Sequence, residues 1–155
     1  METLQNQPQI NTITVNSDWM EKTKTAVHVR QFQPFHIDQP EQMGGDNSAP
    51  NPMEYMLGSL LGCESTMIAG VAQKMKFQFE DIQMEVAGDI DMRGVQGNPK
   101  VKPYFQNIRQ VVKIKTSEPD DRIDELKSKV EATCPAYNLI KDAGVNVHAD
   151  WQRMN

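Results

Sequence analysis

The stretch NPMEYMLGSLLGCESTMIAGVAQKMK, from Asn51 to Lys76, constrains the fold more than any other part of the chain. Asn51 followed by Pro52 reads as an N-cap and a first-turn proline, whose missing N–H costs nothing there. The apolar residues then recur at helical spacing to about Lys76. Met53, Met56, Leu60, Cys63, Met67 and Val71 share one face, and Leu57, Leu61, Ile68 and Met75 widen it, so the helix is expected to be buried nearly all round. Gly58, Gly62 and Gly70 each cost about 1 kcal/mol against alanine in a helix interior. Together with Ser59 and Ala69 they point to close packing against another backbone. Glu54 and Glu64 interrupt the run and polar loops flank it, which argues for a buried helix and against a membrane span.

Around this helix the sequence reads as alternating strands and further helices. INTITV and AVHVRQF predict two N-terminal strands, joined through Asn16 to Lys24, with Val27 and Val29 on one face and Arg30 opposite. From Gln33 to Asn51, the residues Pro34, Pro40, Gly44, Gly45, Asn47 and Pro50 predict a long loop. Beyond Phe77, Ile82, Met84, Val86, Ile90 and Met92 alternate with Asp81, Gln83, Glu85, Asp89 and Asp91, the period of a strand with one acidic face. A second strand carries Ile108, Val112 and Ile114 on one face and Arg109, Lys113 and Lys115 on the other. Opposed acidic and basic faces predict an antiparallel hairpin with cross-strand ion pairs.

Ser117 or Thr116 is expected to cap a helix that buries Ile123, Leu126, Val130 and Cys134. Pro135 starts a short new helix with Cys134 near its N-cap and Gly144 as its stop, and VNVHADW forms a last strand. The 155 residues suit one α+β domain over 1–155, with residues 1–24 as a partly ordered extension or strand. A formal charge of −5 repels phosphate backbones and anionic lipid surfaces, so neither nucleic acid nor membrane is an expected partner. METLQNQPQINTITVNSD has no basic segment followed by an apolar one, which reads as cytoplasmic residence.

The chemistry-bearing residues are few. His28, His36 and His148 lack the spacing of a metal motif, and GGDNSAP lacks the lysine of a phosphate-cradling loop, so no metal and no bound cofactor are expected. Two cysteines, Cys63 and Cys134, remain. Far apart in sequence, they fit two inert buried thiols, or a pair in which one thiol reacts and the other closes a disulfide. A thiol becomes a useful nucleophile when a cation, a helix N-terminus or a hydrogen-bond donor stabilises its thiolate. Cys63, in mid-helix, needs a cation, for which Arg30 is the leading candidate and Lys22, Lys24 and Arg93 are alternatives. For Cys134 an N-cap position would lower the pKa and expose the thiol to a partner sulfur, whereas its place on the stripe of Ile123 and Val130 suits a plain core residue, the reading that the residue taken alone favours.

Taken together, GGDNSAPNPMEYMLGSLLGC, GDIDMRG and ATCPAYNLI resemble the OsmC/Ohr family of hydroperoxide-reducing proteins, in matching order from about Thr25 to Arg153. The resemblance implies an intertwined homodimer in which antiparallel sheets wrap central cysteine-bearing helices. It also implies Cys63 as peroxidatic cysteine, Cys134 as resolving cysteine, Arg30 as the thiolate-stabilising arginine and Glu54 as the glutamate orienting it. Met53 stands where peroxidase members of the family carry that glutamate, one residue or about 100° around the helix from Glu54. Glu64 directly after Cys63 replaces an apolar residue, and facing the thiol it would oppose thiolate formation. These two positions place the chain nearer the broader OsmC-like branch.

The function implied is stress-protective reduction of organic hydroperoxides, with Phe32, Met53 and Met56 as apolar walls and an external dithiol as reductant. The competing reading is a non-catalytic OsmC-like protein that holds a small apolar or thiol ligand in its dimer cleft.

Overall fold

The computed structural model describes residues 8–154. Within the expected α+β domain the chain forms two units, one up to Glu54 and the other from Tyr55 onward.

The first unit is a three-stranded antiparallel sheet, β1 (Asn16–Glu21), β2 (Lys24–His28) and β3 (Phe35–Ile37), in that order. The expected strand at INTITV is absent. Residues 10–15 are exposed and without regular structure, and the expected connection from Asn16 to Lys24 holds β1 itself. Every residue of β1 is exposed, Trp19 and Met20 included, so no inside–outside alternation marks it in the sequence. In β2 the buried position is Ala26, not Val27 or Val29. The strand ends at His28, so Arg30 is not a strand residue as expected; it lies in a turn at φ 49°, and its guanidinium stacks 4.6 Å over the Phe32 ring.

The expected loop from Gln33 to Asn51 contains β3 and a 3-10 turn at Glu41–Met43. It is organised around the buried carboxylate of Asp38, which accepts hydrogen bonds from Thr23 Oγ1 (2.7 Å), the Gln39 amide (2.8 Å), the Asp46 amide (3.2 Å), and the Ser48 amide (3.0 Å) and hydroxyl (2.8 Å). These donors, led by the Ser48 amide, hold the Asp38 carboxyl well below the usual carboxylate range. Gly45 lets the loop fold back on itself: a Cβ there would lie 1.9 Å from the Gln39 carbonyl oxygen.

The second unit contains most of α1 (Pro52–Met75), then β4 (Asp81–Ile90), the one-turn α2 (Met92–Val95), β5 (Phe105–Lys115), α3 (Asp120–Thr133), α4 (Pro135–Asp142) and β6 (Asn146–Arg153). Met92, expected in the strand, belongs to α2, where Asp91 caps the Arg93 amide. β4 and β5 form the expected hairpin, and Arg109 pairs with Asp89 across it. β6 departs from expectation: it runs parallel to β5, from Asn107 opposite Asn146 to Ile114 opposite Arg153. A parallel neighbour needs a long crossover, and α3 with α4 supplies it.

The core of this unit joins Ile68 and Ala72 of α1, Phe77, Val112 and Ile114 of β5, and Ile123, Leu126 and Val130 of α3. On α3 the cap differs from expectation. Thr116 Oγ1 accepts from the Glu118 amide ahead of the helix, Pro119 occupies the N-cap position without a side-chain bond, and Asp120 and Asp121 face the dipole. On α1 only Leu60, Glu64, Ile68 and Ala72 are buried, a single i, i+4 stripe instead of burial all round. The helix is long and apolar enough by composition to cross a membrane, a test that core helices of soluble proteins also pass.

Candidate active site

The start of α1 is set by reciprocal capping. Asn51 Oδ1 accepts from the amides of Met53 (2.9 Å) and Glu54 (3.0 Å), and Glu54 Oε2 accepts from the Asn51 amide (2.7 Å). This is a capping box, and it commits one Glu54 carboxylate oxygen to the helix start rather than to an arginine. The Asn51 cap was legible in the sequence; the Glu54 half of the box was not recognised.

Three turns along, α1 presents Cys63, half-buried, to Cys134 at the junction of α3 and α4. The two sulfurs are 3.3 Å apart and both thiols are free. Residues 71 positions apart in sequence thus meet, as a dithiol requires. A disulfide bond spans about 2.05 Å, so closure needs about 1.3 Å of approach.

The junction that holds Cys134 is tightly bonded. Its amide closes α3 on the Val130 carbonyl (2.8 Å), and its carbonyl accepts from the Asn138 amide (3.1 Å) and Asn138 Nδ2 (2.8 Å). Asn138 Nδ2 also reaches the Glu131 carbonyl at 2.8 Å, stapling α3 to α4. The sequence reading missed Asn138, whose one signal was a side-chain amide on the first turn after Cys-Pro.

Cys134 is the core residue that its place on the stripe of Ile123 and Val130 suggests, and not the exposed, acidic thiol of an N-cap. It is 0% exposed, and burial pushes its pKa up to about 11 against the partial help of the Tyr137 amide. Cys63, through its hydrogen bond and its charge, and the charge of Glu64 add to the rise. Desolvation outweighs the cap because α4 offers its amides to a sulfur that has no water.

Glu64, adjoining Cys63, is a buried carboxyl at 3% exposure, held by Gln110 Nε2 from the middle of β5. Burial raises its pKa, and Glu131 adds to the effect while Gln110 opposes it. Gln110 shares the buried face of β5 with Ile108, Val112 and Ile114, so a polar residue in phase with a core stripe was its sequence signal.

Arg30 lies in the first unit and Cys63 in the second. Two of the alternative cations are already paired, Lys22 with Asp46 and Arg93 with Asp91. A surface cavity of about 370 Å³ lined by Arg93, Lys100, Lys102, Phe105 and Gly144 includes neither cysteine. The dithiol, not that hollow, is where the reactive groups converge. Among the described residues no three His, Cys, Asp or Glu side chains cluster to hold a metal ion.

Residues 45–149 match the family model described as OsmC-like protein. The chain belongs to the OsmC-like family. Solved structures agree on the fold. An OsmC-like protein from Mycoplasma pneumoniae superposes with a TM-score of 0.81 at 16% identity, covering 94% of this chain and 99% of that one. An organic hydroperoxide resistance protein OsmC from Legionella pneumophila gives 0.72 at 19% identity, over 94% and 99% of the two chains. One from Elizabethkingia anophelis with bound thiocyanate gives 0.72 at 15%, over 99% and 100%. No curated protein matches by sequence. In this OsmC-like chain the two cysteine-bearing segments are therefore set in an α+β fold shared with proteins described as hydroperoxide resistance factors.

Proposed function

We propose that the chain is a thiol-dependent hydroperoxide reductase, with Cys63 as the peroxidatic and Cys134 as the resolving cysteine. The observation that carries the reading is the asymmetry of a pair of sulfurs 3.3 Å apart, one half-buried and the other sealed. The Cys63 thiolate attacks a peroxide oxygen, the O–O bond breaks, and a sulfenic acid forms while the alkoxide takes a proton from water to leave as alcohol. Cys134, kept protonated by its burial, then attacks the sulfenic sulfur. The S–S bond forms, and the thiol proton leaves with the hydroxyl as water. An external dithiol restores both thiols by exchange. Working by opening and closing a disulfide suits a reducing compartment, the cytoplasm.

The working unit is proposed to be a homodimer. Along α1, Met56 is 47% exposed, Met53, Leu57, Leu61 and Met67 are partly exposed, and Cβ atoms on Gly58, Gly62 or Gly70 would meet nothing within 4 Å. Three glycines that cost helix stability, with open space among the described residues where their Cβ atoms would lie, favour a second helix seated on them. The peroxide is proposed to be organic, in keeping with this methionine-rich surface.

The arginine and glutamate roles stay with Arg30 and Glu54 as proposals. Arg30→Ala is expected to slow the peroxide step while leaving dithiol exchange intact; equal rates in both steps would remove Arg30 from the mechanism. The reading as a whole is tested by treating the reduced protein with one equivalent of an organic hydroperoxide and mapping its thiols by mass spectrometry. A Cys63–Cys134 disulfide is expected. Two free thiols after excess peroxide would favour the ligand-binding alternative, for which a small apolar or thiol compound should stabilise Cys63→Ser as well as wild type.

A further inference from the structure

Glu64 is an expensive residue to keep. A carboxyl buried to 3% exposure, one position from a reactive cysteine, loses solvation and stands among other acidic groups. The groups that face it from each neighbouring element are Cys63 on its own helix, Gln110 on β5, Glu131 on α3, Cys134 at the α3–α4 junction and Tyr137 on α4. Lys127 lies 3.9 Å from Glu131 and is engaged there.

Gln110 shows how the carboxyl is accommodated. Its Nε2 donates to Glu64, while its Oε1, also buried, has no hydrogen-bond partner among the described residues. A carboxylate has no donor to offer that oxygen, whereas a neutral carboxylic acid does. An acid–amide pair satisfies both ends of Gln110, and a carboxylate satisfies one.

We propose that Glu64, seated on Gln110 beside the dithiol, is a positioning residue that decides whether Cys134 can ionise: the neutral acid permits a thiolate there and the carboxylate opposes it. The inference rests on the dithiol reading for its purpose but not for its test. Its consequence is that Cys134 stays a thiol as long as Glu64 is ionised. Direction follows from like-charge repulsion in a poorly solvated site. Ionised Glu64 and ionised Cys134 exclude each other, so removing the carboxylate makes the thiolate easier to form.

The test uses full-length protein carrying Cys63→Ser, in which Cys134 is the one remaining cysteine. With ¹³C at the cysteine Cβ, its ionisation is followed by NMR across the alkaline range, with and without Glu64→Gln. The glutamine keeps size and hydrogen bonding to Gln110 and removes the charge. The expected result is a titration displaced to lower pH in Glu64→Gln, giving several-fold more thiolate at a fixed pH. Coincident titrations would overturn the proposal, since a merely structural Glu64 would be matched by glutamine.

Should Glu64→Gln fail to fold, the same Cys134 titration in Glu64→Met decides the point. A curve displaced to lower pH supports the proposal, and a curve coincident with that of the parent overturns it. None of these readouts needs peroxide turnover, so an inactive protein with a displaced titration would sink the reductase reading and leave this one standing.

Discussion

Closing the Cys63–Cys134 disulfide should make the folded chain markedly more resistant to unfolding. The bond would tie together residues 71 apart. The loop-entropy relation puts the loss of denatured-state entropy for that separation at about 15 cal/mol/K, or about 4.4 kcal/mol at 25 °C, against a usual range of about 2–4 kcal/mol. The sulfurs start 3.3 Å apart, one in the middle of α1 and the other at the junction of α3 and α4, so native-state strain should remove only part of this. With a urea m-value of about 2 kcal/mol/M for a domain of this size, the midpoint should rise by about 1–2 M. The assay is urea unfolding of reduced protein, of protein oxidised with diamide, and of Cys134→Ser carried through the same oxidation. A rise in the oxidised wild type alone is expected. An intramolecular disulfide, proven by mass, with an unchanged or lowered midpoint would refute the reasoning, because the thiols would then meet only after the helices move apart.

Three further outcomes follow from the same packing. Stability of the reduced protein should fall as pH rises from about 9 toward about 11, since the folded-state pKa of Cys134 is raised above its ordinary value and the protonated form is the favoured one; urea midpoints across that range should flatten in Cys134→Ala, and an equal slope in the variant would count against it. Asp38 has the opposite sign: its carboxyl is held low by its donors, so the stability it lends is present above about pH 4 and lost as pH falls through the folded-state value, and Asp38→Asn should lose that acid-limb slope in the same measurement. Leu126→Ala should cost about 2–5 kcal/mol by equilibrium unfolding, because Leu126 is fully buried between α1, β5 and α3; a cost under about 1 kcal/mol would mean that this core is not packed as described.

Much of the second unit was legible because its residues report on burial. Pro135 and Gly144 punctuate its helices by fixed φ and by the left-handed turn, and Ile108, Val112 and Ile114 mark a face at a period of two. The meeting of Cys63 with Cys134 was carried by the resemblance, since two cysteines far apart in sequence by themselves favour two inert buried thiols. β1 was hidden because none of its side chains is covered within the chain, so Trp19 and Met20 give no alternation. Arg30 was misplaced for a related reason: VHVR continues a strand pattern, but the backbone turns at φ 49°, which side-chain chemistry does not announce. The parallel pairing of β6 depends on where α3 and α4 carry the chain, a long-range outcome that VNVHADW does not encode locally. At the site, Cys134 reads from the sequence both as a core residue of the α3 stripe and as an N-cap thiol, and burial decides for the first, because a helix start lowers a thiol's pKa only where solvent or charge lets it.

The most direct test of the dithiol reductase is consumption of an organic hydroperoxide by the purified protein with a dithiol reductant, run beside Cys63→Ser and Cys134→Ser. Turnover in wild type is expected to vanish in Cys63→Ser, while Cys134→Ser should complete one round, accumulate sulfenic acid on Cys63 and stop. Turnover that survives Cys63→Ser, or none in any of the three, would contradict the assignment of peroxide chemistry to this pair of sulfurs.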